Sequence, residues 1–308
     1  MNACTLSFTS CFFDDYYRNK AVIHSSMKSH ETAANIPRVG IGTFQLKSES
    51  MVHEVLATAL SHGIRLIDTA QCYKNEELIS KSLSDLLHKL SLSRSDITVV
   101  SKLDPKNQGT DKAREAVEKT LKCFGGYVDV MLIHWPGVSK MKSDDPQVKQ
   151  LRKESWKVLE EYQIKGTIRC IGVSNYNLYH LEDLMSYCSI KPSVLQNEFH
   201  PRYQETGVLQ FCQEHDIRFM GYSPFGQGDL LSDKTVIAVA EKYNVFPSNV
   251  LVQWSIQKGV ICIPRTSKPE RVRENLNYSS FKLDNDDMEQ LALLNDGHKF
   301  CWDPNRVV

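Results

Sequence analysis

The segment LIDTAQCYKNEELISKSLSDLLHKLSLSRSDITVVSKL (66–103) contains one complete structural unit of this chain. The apolar run at 66–70 predicts a short strand, the helical spacing of hydrophobic residues over 76–90 predicts a helix, and ITVVSKL (97–103) predicts the next strand. Both strands are apolar without polar alternation, which is typical of parallel strands buried on both faces. The segment therefore predicts a strand–helix–strand unit with parallel strands.

The same alternation continues on both sides of this segment, with a period of roughly 30 residues. Strands are predicted at 39–44, 66–70, 97–103, 128–134, 168–175, 193–199, 218–224 and 260–265. Helices are predicted at 48–63, 76–90, 111–124, 147–165, 178–188, 206–216, 235–244, 248–258, 269–276 and 284–295. Eight such units predict an α/β protein with a single domain, a (β/α)8 TIM barrel.

A doubly wound sheet is the alternative architecture for alternating strands and helices. Its dinucleotide-binding form needs the pattern G-x-G-x-x-G after the first strand. Here Gly40 and Gly42 are followed by Gln45 where the third glycine should stand. The sequence therefore favours the barrel.

Composition narrows the possible functions further. The 308 residues include 37 Lys+Arg and 37 Asp+Glu, so the formal net charge is zero, which argues against a nucleic-acid-binding protein. No run approaches the ~18 apolar residues of a membrane helix. The 9 cysteines form no CxxC pair and no metal-finger spacing, so we expect no metal and a reducing, cytoplasmic compartment.

Residues 1–26 lack a hydrophobic period, and we expect a loose extension there. The barrel is expected to cover residues 27–308 and to be a monomer.

Four chemically distinctive residues stand at or just after the ends of three consecutive strands: Asp68, Tyr73, Lys102 and His134. The carboxyl ends of barrel strands meet at one face, where barrel enzymes carry their chemistry. A lysine ammonium lowers the pKa of a neighbouring phenol, a carboxylate orients the lysine, and a neutral histidine can donate to a substrate oxygen. Together they predict a proton donor aimed at a carbonyl oxygen that is gaining negative charge.

Other strand ends carry residues suited to a flat hydride-donating cofactor. Tyr222 can stack on a ring, while Ser174, Asn175 and Gln196 can bind an amide. Taken singly, each catalytic candidate has a simpler interpretation. Asp68 would more often cap a turn, Lys102 could be the Schiff-base lysine of a lyase, and a histidine in such a run is more often a core residue.

The chain resembles the aldo-keto reductase superfamily of NADPH-dependent barrel enzymes over roughly residues 27–308. The matching motifs, in order, are GIGTF (40–44), DTAQCYKNEE (68–77), SKL (101–103), LIHWP (132–136), GVSNY (172–176), QNEFHP (196–201), GYSPFG (221–226) and IPRTSKPERVRENL (263–276). The resemblance implies that Asp68, Tyr73, Lys102 and His134 form a catalytic tetrad, with Tyr73 as the general acid. It implies reduction of carbonyl groups in small-molecule substrates.

The resemblance also implies an NADPH site. Its nicotinamide end would be held by Ser174, Asn175 and Gln196 and stacked on Tyr222. The remaining cofactor-binding residues would be Thr43, Ser223, Phe225, Gln227, Arg265, Thr266, Arg271, Glu274 and Asn275. Family members usually have lysine where Arg265 stands, but arginine also binds phosphate.

The resemblance and the loop lengths predict a pocket for small carbonyl compounds. The predicted lining is Phe44, Cys72, Trp135 and Trp302, with Asp104 at the rim. Family members that bind steroids often have tryptophan at the positions of Phe44 and Asp104, and members that reduce steroid double bonds replace His134 with glutamate. Two other roles remain open from the sequence: a weakly active, NADPH-binding regulatory subunit, and a structural protein of the same fold.

Overall fold

The computed structural model describes residue 22 and residues 32–308. The predicted extension at 1–26 therefore lies outside the described residues except for Val22, which is partly buried against the apolar core. Within the described part, the strands follow the chain order β1 to β8 in one parallel sheet of eight. Their bounds are β1 Ile41–Gly42, β2 Leu66–Asp68, β3 Thr98–Leu103, β4 Val128–Ile133, β5 Ile168–Ser174, β6 Val194–Glu198, β7 Arg218–Tyr222 and β8 Ile261–Ile263.

Helices connect the strands, as the alternating pattern predicts. They are α1 Glu49–Ser61, α2 Glu76–Lys89, α3 Thr110–Cys123, α4 Gln147–Ile164, α5 Leu178–Tyr187, α6 Thr206–Glu214, α7 Lys234–Tyr243, α8 Pro247–Gln257, α9 Pro269–Asn275 and α10 Asn285–Ala292. Short 3₁₀ turns follow several strands, including Gln71–Tyr73 after β2 and Gly226–Ser232 after β7. The predicted (β/α)8 barrel is confirmed, with strands shorter than the apolar runs because the ends of those runs turn into loops.

The sheet nearly closes on itself between β8 and β1. Parallel bridges join Val39 to Cys262 and Gly42 to Arg265. The register between neighbours brings Gly42 opposite Asp68, and Ser174 opposite Gln196. The carboxyl ends of the strands therefore meet at one face, and the site residues lie there.

Two layers of apolar side chains hold the barrel together. An inner layer fills the barrel with side chains from alternate strand positions, among them Leu66, Val130 and Met220. An outer layer packs the helices on the strands, and in it Trp156 and Trp254 are fully buried. The barrel is thus a packed core and not a pore.

Gly172 in β5 is required by this packing. A side-chain carbon added there would overlap the carbonyl oxygen of Val194 and lie 2.8 Å from Cδ2 of Leu132. Because the first neighbour is backbone of a paired strand, it cannot move aside cheaply. We expect Gly172→Ala to cost at least ~1–3 kcal/mol of unfolding free energy and to lower the thermal midpoint by about 5 °C.

Gly207 in α6 is the matched control. No atom lies within 4 Å of the position its side-chain carbon would take. Gly207→Ala should change stability by less than ~1 kcal/mol. Equal melting temperatures for the two variants would show that the close approach of β5 and β6 does not limit the barrel.

Candidate active site

A buried ion pair lies at the centre of the site. Asp68 ends β2, and Lys102 lies one residue before the end of β3. The Lys102 side chain is 0% exposed, and its Nζ donates to both carboxylate oxygens of Asp68 at 2.8 Å and to the carbonyl oxygen of Thr69 at 2.9 Å. All three hydrogens of the ammonium therefore have acceptors, which such burial requires.

Tyr73 extends from the 3₁₀ turn after β2 towards this ion pair. Its hydroxyl oxygen lies 3.4 Å from Nζ of Lys102, which itself lies 5.0 Å from the ring centroid. Burial, followed by the negative charge of Asp68, raises the pKa of Tyr73 well above its ordinary value of 10. The net shift is opposite to the lowering expected from Lys102, because burial and the carboxylate raise the pKa. Tyr73 is therefore a protonated phenol at neutral pH.

Polar side chains fix the turn that carries Tyr73. Gln71 donates to the carbonyl oxygen of Ala116 at 3.0 Å and accepts from the amide of Asp104 at 3.0 Å. Asn75, 1% exposed, donates to the carbonyl oxygen of Thr43 at 2.8 Å. These bonds tie the turn to the segments after β1 and β3, so the phenol has a defined position.

His134 follows β4 and lies beside Tyr73. The two ring centroids are 5.6 Å apart in an edge-to-face arrangement. Sγ of Cys72 lies 3.3 Å from Nδ1 of His134. Burial, followed by the charge of Lys102, lowers the pKa of His134 to about 3. The imidazole is therefore neutral at pH 7, as the sequence-based hypothesis requires.

The residues predicted to hold the nicotinamide form a connected network. Gln196 donates through Nε2 to Asp68 Oδ1 at 2.7 Å. Asn175, at a positive φ of 62°, donates to the carbonyl oxygen of His134 at 2.9 Å and to Oγ of Ser174 at 3.1 Å. The Tyr222 hydroxyl donates to Asn175 Oδ1 at 2.6 Å. The network therefore fixes the Tyr222 ring relative to the ion pair and the imidazole.

The residues predicted to hold the adenosine phosphate lie between β8 and the end of α9: Arg265, Thr266, Arg271, Glu274 and Asn275. The exposed Arg265 donates through Nε to the carbonyl oxygen of Phe44 at 2.8 Å. Arg271 and Glu274 are exposed, whereas Thr266 and Asn275 are buried. Thr43 is 0% exposed and donates to the carbonyl oxygen of Asp68, so it supports the site from within the barrel.

The loop after β7 packs on a segment near residue 300. Gln227 donates to the carbonyl oxygen of Phe300 at 3.1 Å, and Oγ of Ser223 lies 3.6 Å from Sγ of Cys301. Phe225 is half-buried against the core. Ser223 and Gln227 have positive φ angles of 51° and 55°, so the loop is tightly curled.

Sequence reasoning missed Glu198, the buried carboxylate at the end of β6. It accepts from the backbone amides of Phe300 and Cys301 at 2.7 and 3.1 Å and from His200 Nε2 at 3.0 Å. It also pairs with Lys299. Although burial alone would raise the pKa of Glu198, these partners together lower it to about 2. This residue holds the 299–301 segment over the barrel mouth, and it also holds the buried His200.

Sequence reasoning also missed Arg152 in α4, which is 0% exposed. It donates to the carbonyl oxygens of Pro136 and Val308 at 3.0 and 2.8 Å and pairs with Asp183. The signal was present in the sequence, because Arg152 stands four residues from Val148 and from Trp156 on the buried helix face.

Aromatic side chains border the mouth of the site. The rings of Phe44 and Tyr73 are 5.1 Å apart, and the rings of Trp135 and Trp302 are 6.3 Å apart. Phe44 is 52% and Trp302 is 83% exposed. Cys72 is also exposed. Phe44 thus lies against Tyr73, Cys72 precedes Tyr73 in the chain, and Trp135 and Trp302 form a second aromatic pair.

Comparison with known proteins assigns the family. The model of the aldo/keto reductase family matches residues 38–296. The chain belongs to this family. Glyoxal reductase of Bacillus subtilis is 32% identical over 287 residues, which cover 93% of this chain and 98% of that one. The resemblance inferred from the eight motifs is confirmed.

Solved structures of aldo-keto reductases agree with this assignment. An enzyme from a Medee basin deep-sea metagenome library superposes with a TM-score of 0.81 at 31% identity, covering 89% of this chain and 97% of that one. A Bombyx mori aldo-keto reductase solved in complex with NADP superposes with a TM-score of 0.78 at 26% identity, covering 86% and 91%. Within the described part of this aldo-keto reductase, no helix is long and apolar enough to span a bilayer.

The low pKa of His134 predicts a pH dependence of stability. A histidine with a pKa of about 3 when folded and ~6.5 when unfolded binds fewer protons in the folded state. The neutral imidazole therefore contributes fully to the unfolding free energy above pH ~6.5, and this contribution is lost as the pH falls towards 3. Between pH 7 and 4.5 we expect His134 to account for about 2–3 kcal/mol of lost unfolding free energy.

Urea unfolding of wild type and His134→Gln at both pH values measures this contribution. The loss between the two pH values should be smaller in the variant by about that amount. The exposed His62 is the control, and His62→Gln should lose as much stability as wild type. Equal losses in all three proteins would contradict the neutral state of His134.

Proposed function

We propose that this aldo-keto reductase reduces the carbonyl groups of small aldehydes and ketones with NADPH, with Tyr73 as the proton donor. The observation that carries the proposal is the set of contacts around one phenol. Tyr73 lies 3.4 Å from a buried ammonium and edge-on to a neutral imidazole, at the open end of the barrel. Such a set supplies a proton and a second hydrogen-bond donor to one oxygen.

The residues present fit a nicotinamide cofactor. Tyr222 is half-buried and its hydroxyl donates to Asn175, which positions the ring on which the nicotinamide would stack. The bond from Arg265 through Nε leaves both Nη atoms for a phosphate, and Arg271 is exposed nearby in the chain. When bound, NADPH supplies the hydride. The NADP complex of the Bombyx mori relative supports the same cofactor class here.

The protein's own part in the reaction is the movement of one proton. Because the pKa of Tyr73 is raised, the phenol keeps its proton until the carbonyl oxygen becomes strongly basic. The hydroxyl then donates to that oxygen, and Lys102 faces the phenolate that remains. His134, held neutral, donates to the same oxygen and orients it. Asp68 keeps the ammonium in place during this change of charge.

A lyase that uses Lys102 as a Schiff base is the competing function for this barrel. A Schiff-base lysine must present a neutral amine to the substrate. Here Nζ of Lys102 is buried and donates to both oxygens of Asp68 and to Thr69. These contacts favour the ammonium, and they support reduction over lyase chemistry.

The open mouth supports small, activated carbonyl compounds as substrates. With Phe44 and Trp302 largely exposed, the walls enclose little apolar surface. A bulky apolar ligand gains binding free energy in proportion to the area it buries, at ~25 cal/mol per Å². Dicarbonyls and short or aromatic aldehydes depend less on such burial. The relative named glyoxal reductase agrees with this class.

Tyr73→Phe tests the proton donor. The change removes one hydroxyl and little volume, so carbonyl reduction should fall by ~100-fold or more. NADPH affinity, measured by quenching of protein fluorescence, should stay near wild type because the stacking residue is Tyr222. Turnover retained in Tyr73→Phe would refute the assignment.

Arg271→Ala tests the preference for NADPH. If Arg271 contacts the 2′-phosphate, its loss should weaken NADPH binding by about 1.5–3 kcal/mol and NADH binding little. Arg273, exposed in the same helix α9, provides the control, and Arg273→Ala should affect both cofactors equally. Titration with both cofactors measures this, and equal losses for Arg271→Ala would contradict phosphate recognition there.

Substrate size is tested by ranking kcat/KM for methylglyoxal, a nitrobenzaldehyde and a ketosteroid. We expect the two small compounds to be reduced best, with high KM, because the open mouth gives few apolar contacts. A higher kcat/KM for the steroid would show that the exposed aromatic residues close over large ligands.

A further inference from the structure

Cys72 contacts the candidate imidazole from the position directly before the candidate acid in the chain. It lies in the 3₁₀ turn Gln71–Tyr73, directly before Tyr73. The turn is restrained at both ends. Gln71 forms hydrogen bonds with Ala116 and Asp104, and Lys74 ends the turn with a left-handed backbone conformation. The backbone at Cys72 is therefore held, and its thiol lies 3.3 Å from His134 Nδ1.

The chemistry of this contact decides which ring nitrogen carries the proton. Burial lowers the pKa of His134 to about 3. Although Cys72 is exposed as a residue, desolvation of its thiol by neighbouring groups and the charge of Asp104 raise the pKa of Cys72 to about 11. Both groups are neutral at pH 7, so one hydrogen lies on sulfur and one on the ring. Nδ1 with its lone pair is a better acceptor than a thiol sulfur, which is only a weak acceptor. The favoured bond therefore runs from S–H to Nδ1 and leaves the ring hydrogen on Nε2.

Nε2 is free to act on a substrate. It forms no hydrogen bond with any residue in the range 32–308 that the structure describes. The backbone of His134 is held as well, because its carbonyl oxygen accepts from Asn175 at 2.9 Å. The ring is thus held at its backbone and at Nδ1, with only Nε2 unengaged.

We propose that Cys72 is a positioning residue for carbonyl reduction: its thiol holds His134 as the tautomer with hydrogen on Nε2, so that Nε2–H donates to the substrate carbonyl oxygen. The role of the tautomer in turnover rests on the proposed function, whereas the tautomer itself does not. Cys72, the residue next to Tyr73, thereby orients His134 as the second group that donates a hydrogen bond to the substrate oxygen. The thiol forms no covalent bond in this role.

The direct test is ¹⁵N NMR of protein labelled in its histidines, because protonated and unprotonated ring nitrogens differ strongly in chemical shift. His134→Gln identifies the His134 signals among the 10 histidines. Wild type should show a protonated Nε2 and an unprotonated Nδ1. Cys72→Ala should shift both signals towards an averaged mixture of tautomers, and Cys72→Ser should keep the wild-type pattern because a hydroxyl also donates.

Steady-state kinetics with a small aldehyde provides the second readout. Cys72→Ala should lower kcat by about 3- to 10-fold, the effect of one neutral hydrogen bond, with NADPH affinity unchanged. Cys72→Ser should recover most of the loss. Cys188→Ala, which removes a thiol bonded to the carbonyl oxygen of Met185 at the end of α5, should match wild type.

Distinct outcomes separate the two proposals. A wild-type His134 with hydrogen on Nδ1, or unchanged ring signals and kcat in Cys72→Ala, overturns the role of Cys72. Equal losses of kcat in the alanine and serine variants also overturn it, because they indicate packing alone. If wild type reduces no carbonyl compound while the NMR pattern is as expected, the proposed function fails and the tautomer assignment stands.

Discussion

The charge of Lys102 inside the barrel is the constraint on which the site depends. An ammonium with no exposed surface costs several kcal/mol unless it is paired and fully hydrogen-bonded. Asp68 on the neighbouring strand provides that pairing through both oxygens, and Gln196 from the far side of the barrel stabilises the carboxylate. Pairing across strands is possible because the parallel register places Asp68 opposite Val100, two residues before Lys102. Tyr73 then meets a charge whose position is fixed before any substrate arrives.

A second set of buried polar contacts closes the same end of the molecule. Glu198 binds the amides at Phe300 and Cys301, and Arg152 binds the carbonyl oxygen of Val308. Both side chains are fully buried, so breaking either set would leave an uncompensated charge in the protein. These anchors attach the last segment of the chain on both sides of Trp302 and place it against Trp135. Buried hydrogen bonds and ion pairs therefore hold the segment around Trp302 in place, although the aromatic side chains at the mouth remain exposed.

Much of this arrangement could be predicted from the sequence. Parallel strands buried on both faces give uninterrupted apolar runs, and their regular alternation with amphipathic helices predicts the barrel without any tertiary information. Strand-end positions then bring Asp68, Lys102 and His134 to one face. The sequence could not predict hydrogen bonds between residues that are far apart along the chain and meet only in the folded protein. Examples are the bond between Gln196 and Asp68 and the bond between Glu198 and Phe300. The upward shift in the pKa of Tyr73 could not be predicted either. A motif shows which charged residues are near, whereas burial depends on the fold.

We propose that the phenol, imidazole and ion pair at the barrel mouth serve hydride reduction of a carbonyl group. The most direct measurement follows the hydride itself, with NADPH that carries deuterium at the transferable C4 position and a small aldehyde as substrate. Mass spectrometry should find an alcohol with one deuterium bound to the former carbonyl carbon. The same incubation with unlabelled NADPH should give an alcohol without deuterium. An alcohol without the label, or no alcohol at all, would contradict the claim.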